Sequence, residues 1–135
     1  MRVTALFACL VLAVPASAAP LDTLTPAQAV SRAAAASPRA VRALFQFKVA
    51  SAAKSRGGYY LDSEKDFHSP QNLGVVIRPS AMPELTKKYG ADLKAALVGK
   101  TVKIIGQVRR RVVAGGRATA TQVEVTHAGQ LLSVS

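Results

Sequence analysis

Over residues 41–49, apolar and polar side chains alternate with a period of two. Val41, Ala43, Phe45, Phe47 and Val49 share one face, while Arg42, Gln46 and Lys48 take the other, with Leu44 the exception. Successive side chains of an extended chain point to opposite faces, so the pattern predicts a half-buried strand. Residues 51–58 hold two glycines and the cations Lys54 and Arg56, and read as a polar turn. A second strand is expected from Tyr59 to Leu61, and 62–72 reads as a polar loop containing Pro70. Residues 73–77 form a compact apolar strand. From 101 the alternation returns: Val102, Ile104, Val108 and Val112 face one way, and Lys103, Gln107, Arg109 and Arg111 the other. Ile105 breaks the pattern, and Gly106 inside the strand signals a bend or bulge. A hairpin turn is expected at 114–117, a β-branched strand at 119–125 and a short closing strand at 131–134.

Two segments follow a helical period instead. Thr25 is placed to cap a helix that starts at Pro26 and runs through Ala36, ending before Ser37-Pro38. Leu85, Tyr89, Leu93 and Leu97 recur every four residues in a helix over 82–97, interrupted by Gly90. After the first helix the order is three strands, a helix and two strands. That order defines an all-β expectation: a five-stranded OB-fold Greek-key barrel, with an N-terminal helix and a second helix between strands three and four. The expected barrel interior holds Phe45, Phe47, Leu61, Val75, Ile77, Val102, Ile104, Val108, Val123 and Val125.

The N-terminus changes where this domain is expected to work. Met1-Arg2 is followed by an apolar run and then Pro15-Ala16-Ser17-Ala18, the pattern of a cleavable signal peptide. The run is too short for a membrane-crossing helix, which takes about 20 residues. Cleavage is expected between Ala18 and Ala19. The expected organisation is a signal peptide at 1–18, a lead and helix at 19–40, and the OB-fold domain at 41–135. The chain is thus expected to be exported, periplasmic or secreted, with no stable membrane insertion after cleavage. The single cysteine, Cys9, leaves with the signal, which excludes disulfide and thiol chemistry from the mature chain.

Charge narrows the partners. The full chain holds 18 Lys and Arg against 7 Asp and Glu, a formal charge of +11. Such an excess favours polyanions: nucleic acid, acidic glycan or an acidic protein.

Some stretches carry a family resemblance. They are Tyr60-Leu61-Asp62-Ser63-Glu64-Lys65-Asp66-Phe67 with Asn72-Leu73-Gly74-Val75-Val76-Ile77, the run from Leu97-Val98-Gly99-Lys100 to Gly106-Gln107-Val108, and Gly116-Arg117 before Gln122-Val123-Glu124-Val125. Together they resemble the OB-fold domains of exported bacterial proteins of the nucleic-acid-binding type. The barrel is similar in pattern to that of staphylococcal-type nucleases. Three positions depart from the pattern: Pro38-Arg39-Ala40-Val41 opens the first strand, Asp62 stands where Asn is usual, and Ala118 replaces a proline. The nuclease family's catalytic arginine and acids match no positions here, so the resemblance implies binding and not hydrolysis.

OB-folds bind ligands across strands two and three, flanked by the loops joining strands one to two and four to five. Here those loops supply Lys54, Arg56 and Arg117, with Arg109 and Arg111 leading into the second. These cations are expected to converge at one end of the barrel, with Tyr60 offering a ring on the outer face for stacking. Arg110 points opposite to its neighbours, at the place where its strand leaves the core. Asp62, Glu64 and Asp66 lack the glycine and terminal glutamate of a calcium loop. His68 and His127 fit no metal-binding spacing, so neither metal nor cofactor is expected. No nucleophile elbow, phosphate loop or catalytic carboxylate pair is present, and no enzyme is expected. The reading is a non-enzymatic exported module for single-stranded nucleic acid or another polyanion. The alternative is an envelope protein-interaction or structural module that uses the barrel rim or edge.

Overall fold

The computed structural model describes residues 20–135. The expected signal segment, its cleavage site at Ala18 and Ala19, and Cys9 lie outside the described residues. The described residues are β-rich, with eight strands and three α-helices, against the five strands and two helices expected.

The chain enters through β1 (Thr23–Leu24) and α1 (Pro26–Ala36). Thr25 and Gln28 form a capping box, each side chain bonded to the other's backbone N–H, and Pro26 fills the first turn. Ala29 and Ala33, one turn apart, are fully buried, so small side chains let α1 lie close against the sheet. The strands β2 (Val41–Lys48), β3 (Ser51–Lys54), β4 (Tyr59–Asp62) and β5 (Leu73–Ile77) follow. Residues 51–54 are a strand and not the start of a turn. Ala52 is buried, and Ser51 to Lys54 pair in register with Asp62 to Tyr59. Two small alanines hid the alternation from the sequence pattern.

The expected single helix over 82–97 is two: α2 (Met82–Tyr89) and α3 (Leu93–Leu97). Gly90 ends the first at φ +100°, a conformation that glycine adopts without steric strain. Asp92 then caps the second by accepting from the Ala95 N–H. Leu85, Leu93 and Leu97 are buried as the four-residue spacing predicts. Among the described residues no helix is long and apolar enough to cross a membrane.

β6 (Thr101–Val113), β7 (Ala118–Val125) and β8 (Leu131–Val134) complete the sheet. The hydrogen-bonded order is β1-β2-β6-β7-β5-β4-β3, with β8 also on β6; the mixed sheet is not closed. β5 and β7 run parallel, while β2–β6, β6–β7, β4–β5 and β3–β4 are antiparallel. The two residues between β2 and β3 remain bonded to both sides. Val49 N–H donates to Lys100 and Val49 O accepts from Gly99, while Ala50 N–H donates to Asp62. All ten side chains expected inside are buried, in one hydrophobic cluster. The row Val41, Val108, Val123, Val75 and Leu61 crosses five strands in register, the fingerprint of one shared inner face.

Candidate functional site

The outer face of the sheet carries the polar chemistry. Gln107 and Arg109 lie on the outer side of β6, and Gln122 and Glu124 on that of β7, because Val108 and Val123 between them are committed to the core, and Arg111 continues the outer alternation of β6. Arg42 on β2 stands directly across from Gln107, and Arg109 directly across from Gln122.

The β6–β7 ladder ends at Val108 and Val123. Beyond that point β6 takes β8 as its neighbour, pairing through Val102, Lys103 and Ile104. The two strands therefore fork. Gln130, in the turn that leads into β8, spans the fork. Its Nε2 donates to the Ile105 and Glu124 carbonyls, one from each strand, at 3.0 Å each. Its Oε1 accepts from Thr126 N–H (2.7 Å), the Thr126 hydroxyl and His127 N–H. Gly106 makes room for it. A Cβ there would come within 2.9 Å of a Val123 methyl and 3.3 Å of Gln130 Nε2. In place of the bend or bulge expected at Gly106, the β2–β6 pairing runs through it unbroken, the register shift of β6 lies at Lys103/Ile104 against β8, and what the glycine allows is this close approach.

Above the fork lies a groove of about 620 Å³, lined by Arg42, Arg109 and Arg111 together with Gln107, Gln122 and His127, and walled by Gln130. Glu124 sits in it and accepts from Arg111 Nη2 at 3.1 Å and from Arg78 on the other side. The Arg78 hydrogen bond holds the Glu124 carboxyl below its usual range, with Arg111, Arg78 and Arg109 adding electrostatic support. Arg111 Nε is buried with no hydrogen-bond partner among the described residues. Arg42 and Arg109 enter none of the ion pairs among the described residues. The groove is therefore electropositive despite its one carboxylate.

The cations named from the sequence do not converge. Lys54 and Arg56 adjoin Tyr59, which pairs with Ile77 at the end of β5. The tip carrying Arg117 lies past Thr121, which pairs with Leu73 at the start of β5. The two loops thus sit at opposite ends of the strands. Arg109 and Arg111 line the groove. Lys54 lines a separate hollow of about 460 Å³ with Tyr59, Asp92 and Lys94. Tyr60 is exposed on β4 at 42 %, as its place in the alternation implies. Arg110 reaches Thr119 on the far side of the hairpin, and Val112 beyond it is 70 % exposed, so the strand's inner face does leave the core there.

Arg42, Gln107, Gln122, Glu124, His127 and Gln130 were missed as site residues. Arg42 and Gln107 were visible as outward positions in the alternation, but only the fork puts them beside the others.

The acidic loop is organised inward. Asn72, nearly buried, donates to Asp62 Oδ1 at 2.9 Å and to the Phe67 carbonyl, and accepts from Glu64 N–H and the Ser63 hydroxyl. Burial pushes the Asp62 carboxyl above its ordinary range, with the Asn72 hydrogen bond working against it. Among the described residues no group of three His, Cys, Asp or Glu side chains is placed to hold a metal ion.

The fold and groove define a β-rich domain with a basic, amide-lined cleft on one sheet face. No protein-family model matches the chain, and no curated protein matches it.

Proposed function

We propose that this chain is a non-enzymatic, exported OB-fold module that binds single-stranded nucleic acid or another polyanion. The fold reading is supported by the pairing order. If β2 and β3 are the halves of one strand bent at Val49-Ala50, seven strands remain, and setting aside the short β1 and β8 leaves five, with α2 and α3 between the third and fourth. Export rests on the signal pattern of residues 1–18.

The observation that carries the binding reading is the groove at the fork. Three arginines from two strands converge there, with two glutamine amides between them and one carboxylate against them. Guanidinium groups present a planar fork of donors suited to phosphate oxygens, and a charge-assisted bond of this kind is about twice as strong as a neutral one. Tyr60 on β4 and the cations of the two loops lie outside the groove, on other parts of the sheet.

The test is titration of a labelled single-stranded oligonucleotide at low and at moderate salt. The expected result is binding that weakens steeply with salt, with a log–log slope of about −0.7 per phosphate contacted. No binding at low salt overturns the proposal. A second reading, an envelope protein-interaction module, is favoured by the exposed apolar side chains Phe67 (62 %) and Leu132 (47 %), the latter on β8. Apolar docking of a protein would be far less sensitive to salt.

A further inference from the structure

We infer that the groove at the fork receives a terminal phosphate group, the dianionic end of a nucleotide or short strand, and not the middle of a continuous strand. The inference rests on the polyanion reading above and names the ligand chemistry of that same site.

The first argument is shape. A strand that passes through a cleft needs two open ends. Here the turn from Thr126 to Gln130 crosses the fork and forms a wall at one end. Gln130 cannot swing aside cheaply, because both ends of its amide are engaged, with three bonds to the oxygen and two from the nitrogen. For the same reason it has no donor left for a ligand. The groove is thus bounded at that end, and its volume of about 620 Å³ is within the ordinary range of about 300–1,000 Å³ for small-molecule sites.

The second argument is charge. Arg42, Arg109 and Arg111 line the groove against one carboxylate, Glu124. Glu124 is already shared between Arg111 and Arg78. Among the lining residues three guanidinium groups against one carboxylate leave a net charge of +2, and Arg78 beside Glu124 adds to that excess. A phosphomonoester carries a charge of about −1.5 to −2 at neutral pH, whereas an internal phosphodiester carries only one negative charge. This positive excess favours the monoester over the diester.

The third argument is the donor set. Gln107 stands beside Arg42, and Gln122 beside Arg109, each pair held at one rung of a ladder. The two guanidinium–amide pairs lie on neighbouring ladders, two residues apart along β6, and can address several oxygens of a single phosphate group. Rigid strands supply all four positions, so little ordering is needed on binding.

The experiment measures binding of the signal-free chain to single-stranded oligonucleotides of roughly ten nucleotides, a length typical of one OB-fold. Three versions are compared: 5′-phosphorylated, 3′-phosphorylated, and without a terminal phosphate. Inorganic phosphate and a nucleoside monophosphate serve as competitors and separate a requirement for the nucleotide from a response to phosphate alone. The expected result is roughly tenfold tighter binding for one of the end-phosphorylated strands. Arg109→Gln and Arg42→Gln abolish that preference, while Lys54→Gln, at the other hollow, leaves it intact. The nucleoside monophosphate competes in the wild type and not in Arg109→Gln. Equal affinity for all three strands overturns the inference while leaving the polyanion reading standing. No binding of any strand at low salt overturns both. Because Arg42 and Arg109 are exposed and bonded to no acid, both variants are expected to fold, and circular dichroism checks this.

Discussion

Replacing Gln130 with alanine removes a side chain that ties β6, β7 and the turn before β8 together. Five hydrogen bonds end on its amide. A typical intramolecular hydrogen bond contributes about 0.5–1.5 kcal/mol net. The site is half-buried, so water takes over part of the lost bonding, chiefly at Thr126 and His127 nearer the surface. Counting the two bonds to the Ile105 and Glu124 carbonyls in full, and the other three at a fraction, gives a loss of about 2–3 kcal/mol. For a domain of this size, that lowers the melting temperature by about 10 °C. The assay is urea unfolding of the signal-free chain, followed by circular dichroism, with thermal melts alongside. A midpoint that moves with an unchanged slope reports a true loss of stability. A loss below about 0.5 kcal/mol would refute the reasoning, because it would mean that water or a rearranged turn satisfies both carbonyls at no cost. Gln130→Glu sharpens the test. The variant keeps the acceptor oxygens but points a carboxylate at two carbonyls, and is expected to be less stable than the alanine variant at neutral pH.

Asn72→Ala, which unties four hydrogen bonds from a nearly buried amide, should destabilise the domain by about 2 kcal/mol and speed proteolytic cleavage within 63–71, read by limited digestion. Asp62 has its pKa raised by burial, so it favours the folded state most at acid pH and loses that contribution as pH rises through its folded value. Asp62→Asn should therefore flatten the decline in stability from acid towards neutral pH, while keeping an oxygen for Asn72 to bond; an unchanged profile counts against the burial argument. Glu124 has the opposite sign: its lowered pKa gives a contribution that is present above the ordinary glutamate range and lost as pH falls through the folded value. Glu124→Gln should remove that acid-side loss from urea titrations run at a series of pH values, and should tighten oligonucleotide binding by roughly threefold, as expected for deleting one partly exposed charge.

The core was legible because burial on one sheet face imposes a period of two that sequence displays directly. Phe45, Phe47, Ile104 and Val123 needed no tertiary knowledge to place. Strand β3 was hidden, since Ser51, Ala52, Ala53 and Lys54 carry too little contrast between faces to show alternation. The helix break at Gly90 was visible as a glycine, but its consequence needed Asp92 to cap a new start. The groove was the least legible part. Net charge announced that cations would dominate the surface, yet which ones meet depends on register. Arg56 and Arg117 are both loop cations, and the ladder sends them to opposite ends of β5. Arg42 and Arg109 are 67 positions apart in the chain numbering, and only the pairing of Val41 with Val108 makes them neighbours.

That pairing also bears on the order in which the molecule can assemble. β6 is the neighbour of β2, β7 and β8, so it is the strand on which most of the sheet converges. None of it is available until residue 101 has been made. Its first residue, Thr101, exchanges two backbone hydrogen bonds with Ser135. A chain emerging from its N-terminus therefore holds β2 with only the two-residue β1 beside it until β6 is made. Folding dominated by such distant pairings is slow. The topology thus leaves most of the sheet without the strand it shares until β6 has been made, so the inner face of β2 stays uncovered for as long.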